Sequence, residues 1–301
     1  MSLLNATNIK FRNLQYVIAV AESRSFTKAA RKCNVTQSTL SSGVKDLEEI
    51  LGRPLFDRSH RHISLTAFGE RLLPDIRDII QKSDILLAHS RKFDGEYAGP
   101  VRFGVIPTIA PYILPDILDV LQMDYPEIDL IVNENMSDVL IQQLSSGSLD
   151  MALLAFPYDT SGLNSCILYE ERFYFLRPKQ SQHTSFVKSK DITAENLLLL
   201  DDGHCLRDHA LAACAQQDDM SRKAFGATSL TTLVQLVRHG YGTTLLPEMS
   251  VRSMDLPSDL EAIPLKGAHS KRGIGIAWRK NSPLSDIISK IGDEIAMLEK
   301  P

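Results

Sequence analysis

A chain of 301 residues, 44% hydrophobic and 23% charged, has room for two domains or more and the make-up of an ordinary soluble globular protein. Four cysteines are too few for a secreted disulfide scaffold, no apolar run nears the roughly 18 residues that span a bilayer, and the N-terminal stretch lacks a signal-peptide pattern, so a cytoplasmic protein without membrane contact is expected. The net charge of −4 conceals an asymmetry: residues 1–65 carry ten Lys/Arg against five Asp/Glu, which leaves −9 on the remainder and predicts a polyanion partner for the N-terminal part alone.

The first predicted helix runs from Phe11 to about Glu22, with Leu14, Tyr16, Val17, Ile18, Val20 and Ala21 at helical spacing. Ser25 caps a short second helix that ends at Cys33, a cysteine expected in the core. After a turn at Asn34-Val35, Thr36 caps a third helix that Gly52 terminates. Its Leu40, Val44, Leu47 and Leu51 share one face, which leaves Gln37, Ser38, Thr39, Ser42 and Lys45 free on the other. Two short helices, a tight turn and a third helix describe a helix-turn-helix, whose last helix enters the major groove of double-stranded DNA. Gln37 suits adenine, the hydroxyls suit bases or phosphates, and Arg31, Arg53, Arg58 and Arg61 suit phosphates. Arg53 to Leu65 reads as a small hairpin wing. A long helix follows from about Thr66 to Phe93, striped by Phe68, Leu72, Ile76, Ile79, Ile80 and Leu87, with Pro74 expected to kink it or displace its start.

From SFTKAA (25–30), VTQSTLSSGVKDLEEILGRPLFDR (35–58) and LTAFGE (65–70), the chain resembles the LysR-type transcriptional regulators. The resemblance implies a winged helix-turn-helix at 9–66, a linker and dimerisation helix with hinge at 67–95, and a two-lobed α/β regulatory domain, similar to periplasmic binding proteins, at 96–301. It implies a homodimer or homotetramer on promoter DNA, with RNA polymerase as a further partner. The lobes would take 96–156 with 274–301, and 162–270, the chain crossing between them near Phe156–Pro157 and Arg272–Gly273. Strand and helix patterns alternate through this region, which predicts a mostly parallel sheet with helices on both faces. Cys166 would open a strand as a structural residue.

Within the body, one stretch stands apart: LLLLDDGHCLRDHALAAC, from Leu197 to Cys214. Residues after Cys205 have helical composition. In a single helix the thiols of Cys205 and Cys214 would lie roughly 13 Å apart and about half a turn out of phase, whereas a disulfide needs Cα atoms within about 7 Å. The pair could close only if the helix melted, which is the geometry of a switch. Cys205, at or just before a helix N-terminus with His204 beside it and Arg207 behind, is expected to be an activated thiolate. The plainer alternative is two cysteines acting as small hydrophobes in a packing helix, and the spacing alone does not decide between them.

GHCLRD with a cysteine nine positions on, GPVRFGVIPTIAPYILP (99–115), FGATSLTTL (225–233) and RGIG (272–275) resemble the peroxide-sensing members of the LysR family. That resemblance implies hydrogen peroxide as the signal, Cys205 as the peroxidatic and Cys214 as the resolving cysteine, and control of antioxidant genes. Thr108, Ser137, His204, Arg207 and Arg272 would bind or activate peroxide, Ser137 standing where relatives often carry threonine. Ala224 replaces a histidine of some relatives. Neither metal nor cofactor is implied, and an enzyme is not: a thiol peroxidase has no use for a basic helix-turn-helix. The alternative within the family is a regulator that answers to a small metabolite between its lobes.

Overall fold

The computed structural model describes residues 8–57, 63–91, 99–181, 184–192, 196–213 and 227–298. The chain divides into two compact units, a head of Met1–Gly99 with Ser145–Ser148 and a body of Pro100–Leu144 and Leu149–Pro301.

In the head, α1 (Phe11–Ser23), α2 (Phe26–Lys32) and α3 (Gln37–Leu51) form where the periodicity places them. The Ser25 hydroxyl accepts from the Lys28 N–H and the Thr36 hydroxyl from the Thr39 N–H, so both predicted caps form. Gly52 ends α3 in the left-handed region, at φ 74°. Leu14, Tyr16, Val17 and Val20 pack against Ala29, Ala30, Leu40, Val44 and Leu47 in one buried cluster. Gly43 lets α3 approach α1 closely, since a Cβ there would lie 2.7 Å from Asn13 Oδ1 and 2.8 Å from the Tyr16 ring. The wing consists of β1 (Phe56–Asp57) paired antiparallel with β2 (Ser64–Leu65), and Glu48 of α3 accepts the Leu55 and Phe56 N–H groups at its base.

The Thr66 hydroxyl then accepts the Gly69 N–H, and α4 (Ala67–Arg91) begins at once. Pro74 lies inside this helix and its start is not displaced. Leu73 and Ile76 are buried against the head, with Phe68, Leu72 and Ile80 packed beside them, while Ile79 is 45% exposed.

The body contains β3 (Gly99–Val105), α5 (Ala110–Asp124), β4 (Ile128–Glu134), α6 (Ser137–Ser145), β5 (Met151–Phe156) and β6 (Leu163–Pro178). These are followed by β7 (Val187–Lys188), α7 (Cys205–Ala213), α8 (Leu230–Arg238), β8 (Thr244–Pro247), α9 (Glu248–Ser253), β9 (Leu260–Lys266), β10 (Lys271–Arg279) and α10 (Ser285–Leu298). The strand order is β4-β3-β5-β10-β6-β9-β7, with β8 also paired to β6. The expectation of a mostly parallel sheet fails. β3–β5 and β7–β9 are parallel, but β10 runs antiparallel to β5 and β6, and β6 runs antiparallel to β8 and β9. Two long strands, β6 and β10, travel side by side in opposite directions, and the alternation of strand and helix along the chain does not reveal that.

Of the two lobes, the first is built on β5, buried along its whole length, and on the apolar faces of α5, α6 and α10. The second is built on a cluster that includes Phe173, Leu176, Leu197–Leu200, Leu233, Val237, Leu245 and Leu246. β6 belongs to both. Residues 163–172, which the expected boundaries assign to the second lobe, pair with β10, and Phe173–Pro178 pair with β8 and β9. Cys166 lies in the first part of β6, and its side chain is exposed rather than structural.

Candidate functional site

Arg31, Gln37, Ser38, Thr39, Ser42, Lys45 and Arg53 are all exposed on the head. Arg31 lies on α2, and the next five occupy the outer side of α3, opposite its buried Leu40, Val44 and Leu47. Several are already held in place. The Thr27 hydroxyl donates to the Gln37 side-chain carbonyl at 3.0 Å, and the Thr36 hydroxyl lies 2.9 Å from that of Ser38 and 2.8 Å from that of Thr39. Lys45 pairs with Glu49 at 3.4 Å, an exposed contact that a phosphate can replace at little cost. The Arg53 guanidinium lies 5.8 Å from the centre of the Phe68 ring. Arg58 and Arg61 lie outside the described residues.

In the body, Thr108 precedes α5, Ser137 is the first residue of α6, and Cys205 is the first residue of α7. Each stands at a helix N-terminus, where unpaired N–H groups favour negative charge. All three are buried, as is Arg272. Arg272 donates through Nη1 to the Thr108 hydroxyl at 3.1 Å and through Nη2 to the Thr108 carbonyl at 3.2 Å. Its Nε donates to Glu171 Oε1 at 2.7 Å, and the other oxygen of that carboxylate accepts the Met249 N–H at 3.0 Å. Sequence reasoning missed Glu171. The antiparallel register that pairs it with Arg272 across β6 and β10 is what brings the charges together.

Burial pushes the Cys205 thiol up, and this outweighs the Arg272 charge, the Ser137 hydroxyl and the Leu206 N–H, which pull it down; nearby Asp208 pushes it up as well. Burial thus opposes the expected thiolate, because a buried charge is poorly solvated. The Ser137 hydroxyl faces the sulfur but falls short of a well-formed hydrogen bond, and among the described residues it is left as an unsatisfied buried donor.

His204 and Arg207, the expected activators, are engaged differently. Arg207 reaches back to Asp202 at 3.0 Å and to the Leu200 carbonyl at 3.2 Å, so it braces the loop ahead of α7. His204 is buried with Nε2 unpartnered among the described residues, and burial lowers its pKa against the pull of Asp201.

His209, one helical turn after Cys205, was also missed, although i and i+4 share a helix face. It is buried, and the Arg272 charge acts on it as on Cys205. Tyr112 is near the same guanidinium, and burial pushes its hydroxyl up to about 12. Cys214 and Ala224 lie outside the described residues.

An exposed recognition helix on a basic head, followed by a two-lobed α/β body with a buried cysteine site, defines a DNA-binding transcriptional regulator with a sensing domain. Residues 11–70 match the bacterial regulatory helix-turn-helix protein family of LysR type, and residues 94–296 match the LysR substrate binding domain. The chain belongs to the LysR family.

It is 36% identical over 285 residues to the HTH-type transcriptional regulator EstR of Acinetobacter baylyi, covering 94% of each chain. It is 32% identical over 289 residues to the hydrogen peroxide-inducible genes activator of Dickeya chrysanthemi, covering 95% of each. Among solved structures, a cysteine-to-aspartate form of full-length OxyR from Pseudomonas aeruginosa is similar, with a TM-score of 0.79 and 30% identity over 95% of this chain and 94% of that one.

Proposed function

We propose that the chain is a peroxide-responsive transcriptional regulator in which Cys205 is the sensing thiol and Cys214 resolves it. The observation that carries the reading is the setting of Cys205: a buried thiol at a helix N-terminus, faced by the Arg272 guanidinium and by a Ser137 hydroxyl with no other partner among the described residues. The similarity to a peroxide-inducible genes activator supports the choice of signal.

Hydrogen peroxide is small and neutral, so it must be oriented by hydrogen bonds rather than held by bulk contact. The Thr108 oxygen already accepts from Arg272, which leaves its O–H free to donate, and Ser137 supplies a second hydroxyl. Arg272 steadies the thiolate as it forms and the oxygen that departs. The Cys205 sulfur attacks one peroxide oxygen, the O–O bond breaks, and the thiol proton leaves with the other oxygen as water. The resulting sulfenic acid is attacked by the Cys214 thiol, the S–O bond breaks, and a second water departs as the disulfide closes.

Closure requires α7 to unwind, because Ala213, the chain neighbour of Cys214, lies about 12 Å along the helix from Cys205, too far for a bridge one residue on. Leu206, Ala210 and Ala213 of α7 belong to the core of the second lobe. Withdrawing the leucine alone costs about 1.5–3 kcal/mol, so that lobe must reorganise. The changed body resets the spacing of the DNA-binding heads in a homodimer or homotetramer, and with it contact to RNA polymerase at promoters of antioxidant genes. Arg31, Gln37, Ser38, Thr39, Ser42, Lys45, Arg53 and Arg58 carry the DNA contacts.

The similarity to EstR, whose name mentions no peroxide, favours a second reading, a regulator that answers to a metabolite. A thiol count by mass spectrometry with peptide mapping, before and after near-stoichiometric hydrogen peroxide, separates the two. The first reading expects rapid loss of two of the four thiols and a Cys205–Cys214 bridge. Mapping is needed because Cys166 is exposed and can oxidise slowly. Cys205→Ser is expected to abolish the response and leave DNA binding intact. Four thiols unchanged over minutes would move the assignment to a metabolite.

A further inference from the structure

His209 has no part in the chemistry above, yet it lies between the two cysteines on the helix that must unwind. It is 7% exposed. Its Nε2–H donates to the Pro157 carbonyl at 2.9 Å, which sets the tautomer and leaves Nδ1 buried without a partner among the described residues. Pro157 directly follows β5, whose last residue, Phe156, pairs with Gly273 of β10, so the acceptor stands where the chain leaves the first lobe. α7 itself packs into the second lobe through Leu206, Ala210 and Ala213. The imidazole bond therefore ties the reactive helix to the segment that crosses between the lobes. Pro157 is exposed and the bond is only partly buried, so its loss costs the net worth of one hydrogen bond, and that cost opposes any departure of the helix.

We propose that His209 is a positioning residue: its bond to the Pro157 carbonyl pins α7 in the reduced protein and must break before Cys214 can reach Cys205. The proposal rests on the peroxide reading. It assigns His209 to the second step, in which the sulfenic S–O bond breaks, the S–S bond forms and the hydroxyl leaves with the Cys214 proton as water. The first step, oxidation of Cys205, does not need the pin.

Two polar replacements test it. His209→Gln carries an N–H far enough along the side chain to reach the same carbonyl, and His209→Asn is too short. With the wild-type full chain and both variants, sulfenic acid formation is measured by trapping in a Cys214→Ser background, and disulfide closure by quenched mass spectrometry. Amide exchange of α7 is followed in the reduced proteins without peroxide. The expected result is that Asn speeds closure by about fivefold, the scale of one hydrogen bond, and raises α7 exchange by a similar factor. Gln should restore both, and sulfenic acid formation should stay within about twofold throughout, since the lost bond touches neither peroxide nor sulfur.

Equal behaviour of all three proteins, or equal loss in Asn and Gln, would overturn the pin. A wild type that forms no Cys205–Cys214 disulfide would overturn the peroxide reading instead, and the exchange rates would still report whether the helix is pinned.

Discussion

Cys205 is held between opposing influences, and the balance between them sets its reactivity. Burial keeps the proton on, while Arg272, Ser137 and the helix N-terminus favour its loss. A thiol raised above its ordinary value is mostly protonated at neutral pH, and only the thiolate attacks peroxide. The rate of Cys205 oxidation should therefore climb steadily from about pH 6 to about pH 9, as stopped-flow thiol chemistry can check. A plateau below neutrality would show the thiolate already formed. Arg272 bears on both reactivity and stability. Arg272→Met leaves Glu171 buried without its cation, a loss of about 3–5 kcal/mol, and removes the charge that favours the thiolate. Urea unfolding should register the first effect and slower sulfenic acid formation the second. Arg272→Lys should recover part of the rate but not the bidentate geometry at Glu171 and Thr108.

Among the elements, α3 and α7 show how a helix is placed by the demands of both its faces. α3 needs an apolar face for the head, a polar face for DNA and one position without a side chain. At Gly43 an added Cβ would press on Asn13 and on the buried Tyr16 ring. Gly43→Ala gains about 1 kcal/mol in helix propensity but incurs overpacking of about 1–3 kcal/mol. Because neither neighbour is free to withdraw, the net change should be a loss of stability, seen as a lower unfolding midpoint of the full chain. An unchanged or raised midpoint would mean that α1 can shift to make room. α7 is shorter, and its faces divide differently. Leu206, Ala210 and Ala213 are committed to the core, while Cys205 faces the site and His209 bonds to the Pro157 carbonyl.

At the scale of the whole molecule, charge is separated by unit. The five surplus positive charges of residues 1–65 stand against −9 on the rest of the chain, so the head alone attracts a polyanion. Affinity for promoter DNA should fall by about tenfold or more between roughly 50 and 200 mM salt, through counterion release. Oxidation of Cys205 should be indifferent to the same salt, because peroxide is neutral and the thiol is buried. Fluorescence anisotropy and thiol kinetics on one preparation would test both. A DNA affinity independent of salt would remove the argument from the basic head.

Local rules carried much of this architecture. Ser25, Thr36 and Gly52 delimit the helices of the head because caps and stops act over three or four residues, and the apolar spacing of α3 identified which side remains for DNA. The amino-acid sequence by itself thus determined the helix-turn-helix, the exposed polar face of its third helix and the presence of Cys205 at a helix N-terminus. It did not determine what surrounds that sulfur. The Arg272–Glu171 pair exists only through the register of β6 on β10, and the His209–Pro157 bond joins residues 52 positions apart. The direction of the sheet, the turn of Arg207 toward Asp202 and the raised thiol of Cys205 likewise depend on long-range packing and burial. Tertiary structure decided these, because electrostatics and strand register are set by neighbours in space, which local periodicity along the chain does not specify.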